Sequence, residues 1–245
     1  MKKFSVIVSC VIVILFMFMY NVSIRINYKP SDYDLRLIDY FKQVALNSEY
    51  DDSPRKILKW NKSMIIFIFK DDEYSEQIKV IYETIHNMNK IFSDGFKIQV
   101  TDDFYKSNSV LYLGKRENIE MLYPYLFEGI NGSFAGLASI EFNNEDYGIE
   151  KVDIFIDTEQ PFEIQECTIL EEITQSIGLM NDSEKYSNSV FYENKIRDSI
   201  YTKNYSNLDF DIIELLYHSK MKSGLDLQEA EDIIKEILKD NLAIM

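Results

Sequence analysis

The segment Ser63–Phe69 reads Ser-Met-Ile-Ile-Phe-Ile-Phe. A strand that is apolar on successive residues has no face to offer water, so it must lie in a sheet covered on both sides. Tyr74–Ile91 follows, with Ile78, Ile81, Ile85 and Met88 at helical spacing, and supplies one such cover. Phe96–Val100 and Ser109–Leu113 read as further strands, and Glu117–Phe127 as a short helix. Gly136–Phe142 and Lys151–Asp157 alternate around the turn-rich Asn143–Gly148 and predict an antiparallel hairpin. Pro161 then opens a helix of about residues 162–179 that Gly178 is placed to stop. Leu208–His218 and Leu227–Leu242 are amphipathic helices separated by Gly224, within a helical C-terminal part, 206–245. The expected fold is α+β, a mixed β-sheet covered by helices with a helical C-terminal subdomain.

The N-terminus has a different character. Phe4–Tyr20 holds no charge and follows Lys2 and Lys3. At about 1.5 Å per residue such a run roughly spans a bilayer core. No small residues stand where a signal peptidase would cut after Met17-Phe18-Met19-Tyr20. Residues 1–24 are therefore expected to form an uncleaved transmembrane helix, with cleavage and secretion the alternative. The paired lysines favour a cytoplasmic N-terminus and a C-terminal domain outside the cytoplasm. Residues 25–56, polar and bounded by Pro30 and Pro54, read as a stalk ending in the amphipathic stretch Leu35–Leu46, ahead of a domain over 57–245.

The chain carries a net charge of −15, and residues 1–30 hold Lys2, Lys3, Arg25, Lys29 and no acid, which leaves −19 for the remainder. Such a domain repels nucleic acid and anionic lipid and favours cationic partners. The two cysteines, Cys10 and Cys167, lie in the membrane run and a predicted helix, so neither a disulfide between them nor a cysteine metal site is expected. Cys167 reads as a small buried hydrophobe.

Residues Glu171–Asp182 read Glu-Glu-Ile-Thr-Gln-Ser-Ile-Gly-Leu-Met-Asn-Asp. In a zincin helix, His-Glu-x-x-His places two imidazoles on zinc and a Glu on water, and the longer signature continues to a Gly and a third His. Glu172 stands at the base position here. Glu171, Gln175 and Asn181 stand at the ligand positions, and Gly178 at the glycine. The chain has two histidines, His86 and His218, both outside the motif, so a three-histidine site is impossible and no zinc or other cofactor is expected. A hard cation held by Glu171, Asp182 and Glu172 stays open, as does a hydrolase using Glu172 as general base with or without such an ion. Against both stands a structural reading. Ile169, Ile173 and Ile177 form a core stripe, Glu171 and Gln175 face outward, Glu171 and Glu172 are solvated or pair with nearby bases, and Gln175, Asn181 or Asp182 tie the helix end to the next loop.

With Ser189-Val190-Phe191 and Leu216-Tyr217 added, this pattern resembles the bacterial domain of unknown function 2927, over roughly Leu58–Glu229. That family writes its centre as Glu-Glu-x-x-Gln-x-Leu-Gly-Leu-x-Asn-Asp, from which this chain departs at Ile177. Its Gly-Met ending is Gly224-Leu225 here. The family is grouped with zincin-like metallopeptidases, so the resemblance implies a zincin-like fold without the zinc histidines, and no assigned activity. The expected function is a binding or interaction module. A protein or peptide partner would lie in the groove beside the motif helix, against the strand Gly136–Phe142 or its neighbour.

Overall fold

The computed structural model describes residues 28–46, 55–130, 132, 134–195 and 197–242. The run Phe4–Tyr20 lies outside the described residues, and among those described no helix is long and apolar enough to cross a membrane.

Among the described residues the first helix, α1 (Asp32–Leu46), precedes two parallel strands, β1 (Lys59–Trp60) and β2 (Met64–Lys70). Then come α2 (Ser75–Ile91), β3 (Ile98–Thr101), β4 (Ser109–Gly114), α3 (Arg116–Leu122), β5 (Gly136–Phe142) and β6 (Gly148–Asp157). The motif helix α4 (Phe162–Gln175) and two C-terminal helices, α5 (Asn207–Leu216) and α6 (Leu227–Leu242), complete the order. Strands β3, β2, β4 and β6 run parallel side by side, with Met64 opposite Ile98, Ile66 opposite Ser109 and Leu111 opposite Ile154. β1 joins the start of β6, and β5 pairs antiparallel with β6, Ala138 opposite Ile154.

The unbroken apolar run of β2 is explained by cover on both faces. Met64, Ile66 and Ile68 pack with α2 and α4 in the main core, and Phe67 and Phe69 pack with Tyr112, Tyr123 and Phe155 on the other face. That second face is closed by α3 and by the 3-10 turn Pro124–Phe127. The expected helix over Glu117–Phe127 is thus two pieces, because Pro124 has no N–H to continue the first. The hairpin expected over Gly136–Asp157 forms, with β6 starting three residues earlier at Gly148.

The reading of residues 25–56 as a stalk is corrected in its described part. α1 buries Tyr40, Phe41 and Val44 completely, and Lys42 pairs with Glu231 of α6 at 2.6 Å. Its side chains share one core with Ile212 and Leu216 of α5 and with Ile234 and Ile237 of α6. The C-terminal helices are therefore part of the same core as the sheet, not a subdomain apart.

Candidate functional site

Helix α4 lies against β5 and β6, with Ile169 and Ile173 in the core. It ends where the motif places its glycine. Gly178 has φ +111, and a Cβ there would stand 2.0 Å from the Leu58 carbonyl oxygen. No side chain fits that approach, and few adopt that backbone. The orphan carbonyls of the helix end are all met. Gly178 N–H donates to Gln175 O at 2.9 Å, Trp60 Nε1–H to Ser176 O at 3.0 Å, and Tyr217 Oη–H to Ile177 O at 2.9 Å. The Trp60 amide in turn donates to the Tyr217 hydroxyl at 3.2 Å, so the Leu216-Tyr217 pair fixes the motif helix to β1.

Glu171 and Gln175 do not face outward. The loop after the motif folds back over them, with Val190 and Phe191 buried and a bridge between Ser183 and Tyr192. From that loop Lys195 reaches Glu171 as an ion pair, their side chains 7% and 12% exposed. The same ammonium donates to Val190 O at 2.8 Å. Burial alone would lower the Lys195 pKa, but the Glu171 carboxylate outweighs it, with Asp182 adding to the pull, and the pKa is raised. Gln175 Nε2 donates to Asp182 Oδ1 at 2.9 Å, which ties the helix to the loop as its residue type suggested. Cys167, one turn before Glu171, is buried with its thiol pushed up by that burial.

Glu172 is also enclosed. Only 6% of it is exposed, and a Cβ added to Gly136 of β5 would stand 3.0 Å from its Cγ and 2.4 Å from Thr168 Cγ2. The glycine thus lets strand and helix touch where the carboxylate lies. A general base must reach a substrate proton directly or through one water, and this joint between α4 and β5 withholds Glu172 from solvent. Asn181 is drawn elsewhere. Its amide N–H donates to Val44 O at 3.1 Å and its side chain to Gln43 O at 3.2 Å, so it closes the end of α1.

These positions do not fit a zinc ion. Zinc favours imidazole, thiolate and carboxylate around an open coordination site. Of the ligand positions, Glu171 is paired with Lys195, Gln175 presents its amide to Asp182, and Asn181 holds α1. Among the described residues no group of three or more His, Cys, Asp or Glu is arranged to hold a metal. His86 is an exposed residue of α2, and His218 follows α5. The imidazole of His218 is pushed down by burial and by Lys220.

A second buried relay anchors the same loop. Tyr40 Oη–H donates to Ser189 Oγ at 2.6 Å, and Ser189 Oγ–H donates to Asp209 Oδ1 at 2.5 Å. Asp209 also accepts from Val190 N–H at 3.2 Å and forms a capping box with Ser206 at the start of α5. Sequence reading passed over Asp209, though the spacing Ser206-x-x-Asp209 is a helix-start signal. Lys195 had no such signal, being one lysine in a polar loop.

The family described as a protein of unknown function (DUF2927) matches residues 34–236. The chain belongs to the DUF2927 family. The match starts inside α1, in keeping with that helix belonging to the domain. No curated protein matches this DUF2927 chain. Among solved structures it is similar to that of myroilysin, at 8% identity and a TM-score of 0.31, over 73% of this chain and 94% of that one.

Proposed function

We propose that this DUF2927 chain is a zincin-like domain that works by binding rather than hydrolysis, held outside the cytoplasm by a span within residues 1–24. The observation that carries the reading is the Lys195 ammonium paired with Glu171 at the first ligand position. A metal there would have to displace a buried, hydrogen-bonded cation. The motif residues instead join α4, α1 and the following loop.

The surface proposed for the partner is the outer edge of β5. Among the described residues this strand pairs with β6 alone, and its Ser139 and Glu141 are exposed. An edge of unpaired backbone groups accepts an extended segment by strand addition. With −15 on the chain, a cationic segment is favoured.

Two measurements test this. Metal analysis of the purified chain is expected to give zinc far below one ion per molecule. Proline is then placed at Ser139 and, separately, at Ile140. Neighbouring residues of a strand point their N–H groups to opposite sides, so one of the two substitutions removes only the outward donor. That variant is expected to keep its fold and lose capture of a cationic extended peptide. Unchanged capture in both folded variants overturns the edge site. Stoichiometric metal, or an activity that Glu172→Gln abolishes with the fold intact, replaces the binding reading with a hydrolase.

A further inference from the structure

We propose that the concavity beneath β2 and β3 is a binding site for a small phosphate-bearing anion. It is separate from the β5 edge and does not rest on the reading above. Three loops form it: the turn from β1 to β2, the turn before β3, and the segment after α5. The cavity measures about 430 Å³, more than a bare ion needs and enough for a phosphate on a small polar body.

Its charge is opposite to that of the chain. Lys59, Lys62 and Lys222 line it, and Asp94 is the one acid among the lining residues. Asp94 is committed to Lys59, whose ammonium it accepts at 2.7 Å, and to the Phe96 amide at 3.0 Å. Lys59 is buried and completes its valence on Leu216 O at 3.0 Å and Met221 O at 3.2 Å, so that pair is a fixed, neutral wall. Lys62 and Lys222 are exposed and form no ion pair among the described residues. Two lysines with no ion pair among the described residues therefore line a cavity backed by Trp60, Phe96 and Met221, all buried. Low-dielectric walls of that kind focus the field of the charges they carry. The field of Lys222 reaches the interior: burial first, and Lys222 in addition, hold the Lys59 pKa below its ordinary value.

The backbone suits close approach. Gly95 has φ +94, and a Cβ built on it would meet nothing within 4 Å. Gly95 lines the cavity without a side chain, and Ser63 and Ser219 line it as well. Lysines bind phosphate as point charges, and hydroxyls and peptide groups complete its hydrogen bonds. The rear wall is rigid because Trp60 is held at both its amide and its indole nitrogen.

Trp60 is the only tryptophan of the chain and lines this cavity, so its emission comes from one place in the fold. The full chain is titrated at constant ionic strength with inorganic phosphate, then with glycerol 3-phosphate, with acetate and chloride as controls. Saturable changes are expected with both phosphates and not with the controls. Lys62→Gln and Lys222→Gln each weaken binding roughly tenfold, as expected on losing a hydrogen bond to a charged group. The double variant loses saturation, and Lys79→Gln, on the exposed face of α2, leaves binding unchanged. Equilibrium dialysis with labelled phosphate covers the case of a ligand silent to Trp60. No bound phosphate by either method, equal response to chloride, or undiminished binding in the folded double variant overturns the site.

Discussion

Lys195 and Glu171 form a buried ion pair that joins the polar loop to the motif helix at the position where a zincin helix carries its first metal ligand. Removing one member of such a pair leaves a charge with no compensating partner in a poorly solvated place. Lys195→Met is expected to cost about 3–5 kcal/mol in urea unfolding, and the double variant with Glu171→Met to regain most of that loss. Additive losses in the double variant would show that the two residues stabilise the fold separately.

Gly178 and Gly95 both hold positive φ, but one faces a carbonyl at 2.0 Å from its would-be Cβ and the other faces open space. Gly95→Ala is therefore expected to cost about 1–2 kcal/mol, the backbone term alone. Gly178→Ala adds displacement of Leu58 and of the β1 turn, and should cost several kcal/mol more or prevent folding. Thermal unfolding of both variants checks the difference. Equal effects would mean that the approach to Leu58 relaxes freely.

Periodicity revealed the sheet because burial on both faces leaves no polar alternation in β2, and α2 must answer it with an apolar stripe. It failed on α1, whose polar face and flanking prolines look like a tether when the packing surface of α5 and α6 is out of view. The site was half legible. Gly178 and the Gln175–Asp182 tie follow from local rules for ending a helix. Glu171 reads as outward-facing, solvated or paired with a nearby base, because a helical wheel knows nothing of a loop that folds back over it. Lys195 comes from 24 positions downstream with no pattern around it, so only the requirement that a buried carboxylate find a cation points to it.

Asn181 closes the last turn of α1 through Gln43 and Val44. Asn181→Ala removes the side-chain donor while the backbone donor to Val44 stays, so a loss of about 1–2 kcal/mol is expected. Hydrogen exchange at the end of α1 should quicken more than exchange in β4. A uniform change across both would place the effect in global stability rather than in this cap.

Asp209 gives the fold a pH dependence whose sign is fixed. Burial raises its pKa above the ordinary 3.8, although hydrogen bonds from Ser189, Ser206 and Val190 pull the other way. A carboxyl that is raised in the native state holds more protons there than in the unfolded chain. Its contribution is complete below 3.8 and is lost as pH rises through the native value. Over that window stability should fall with pH by at most about 1.4 kcal/mol per unit from this group. Asp209→Asn cannot titrate. It should lose about 1 kcal/mol of capping throughout and also lose this slope, so that the gap to the wild type narrows as pH rises. Urea unfolding at several pH values separates the two effects. A gap that stays constant from pH 4 to pH 7 would mean that Asp209 ionises in the native state as easily as in the unfolded one.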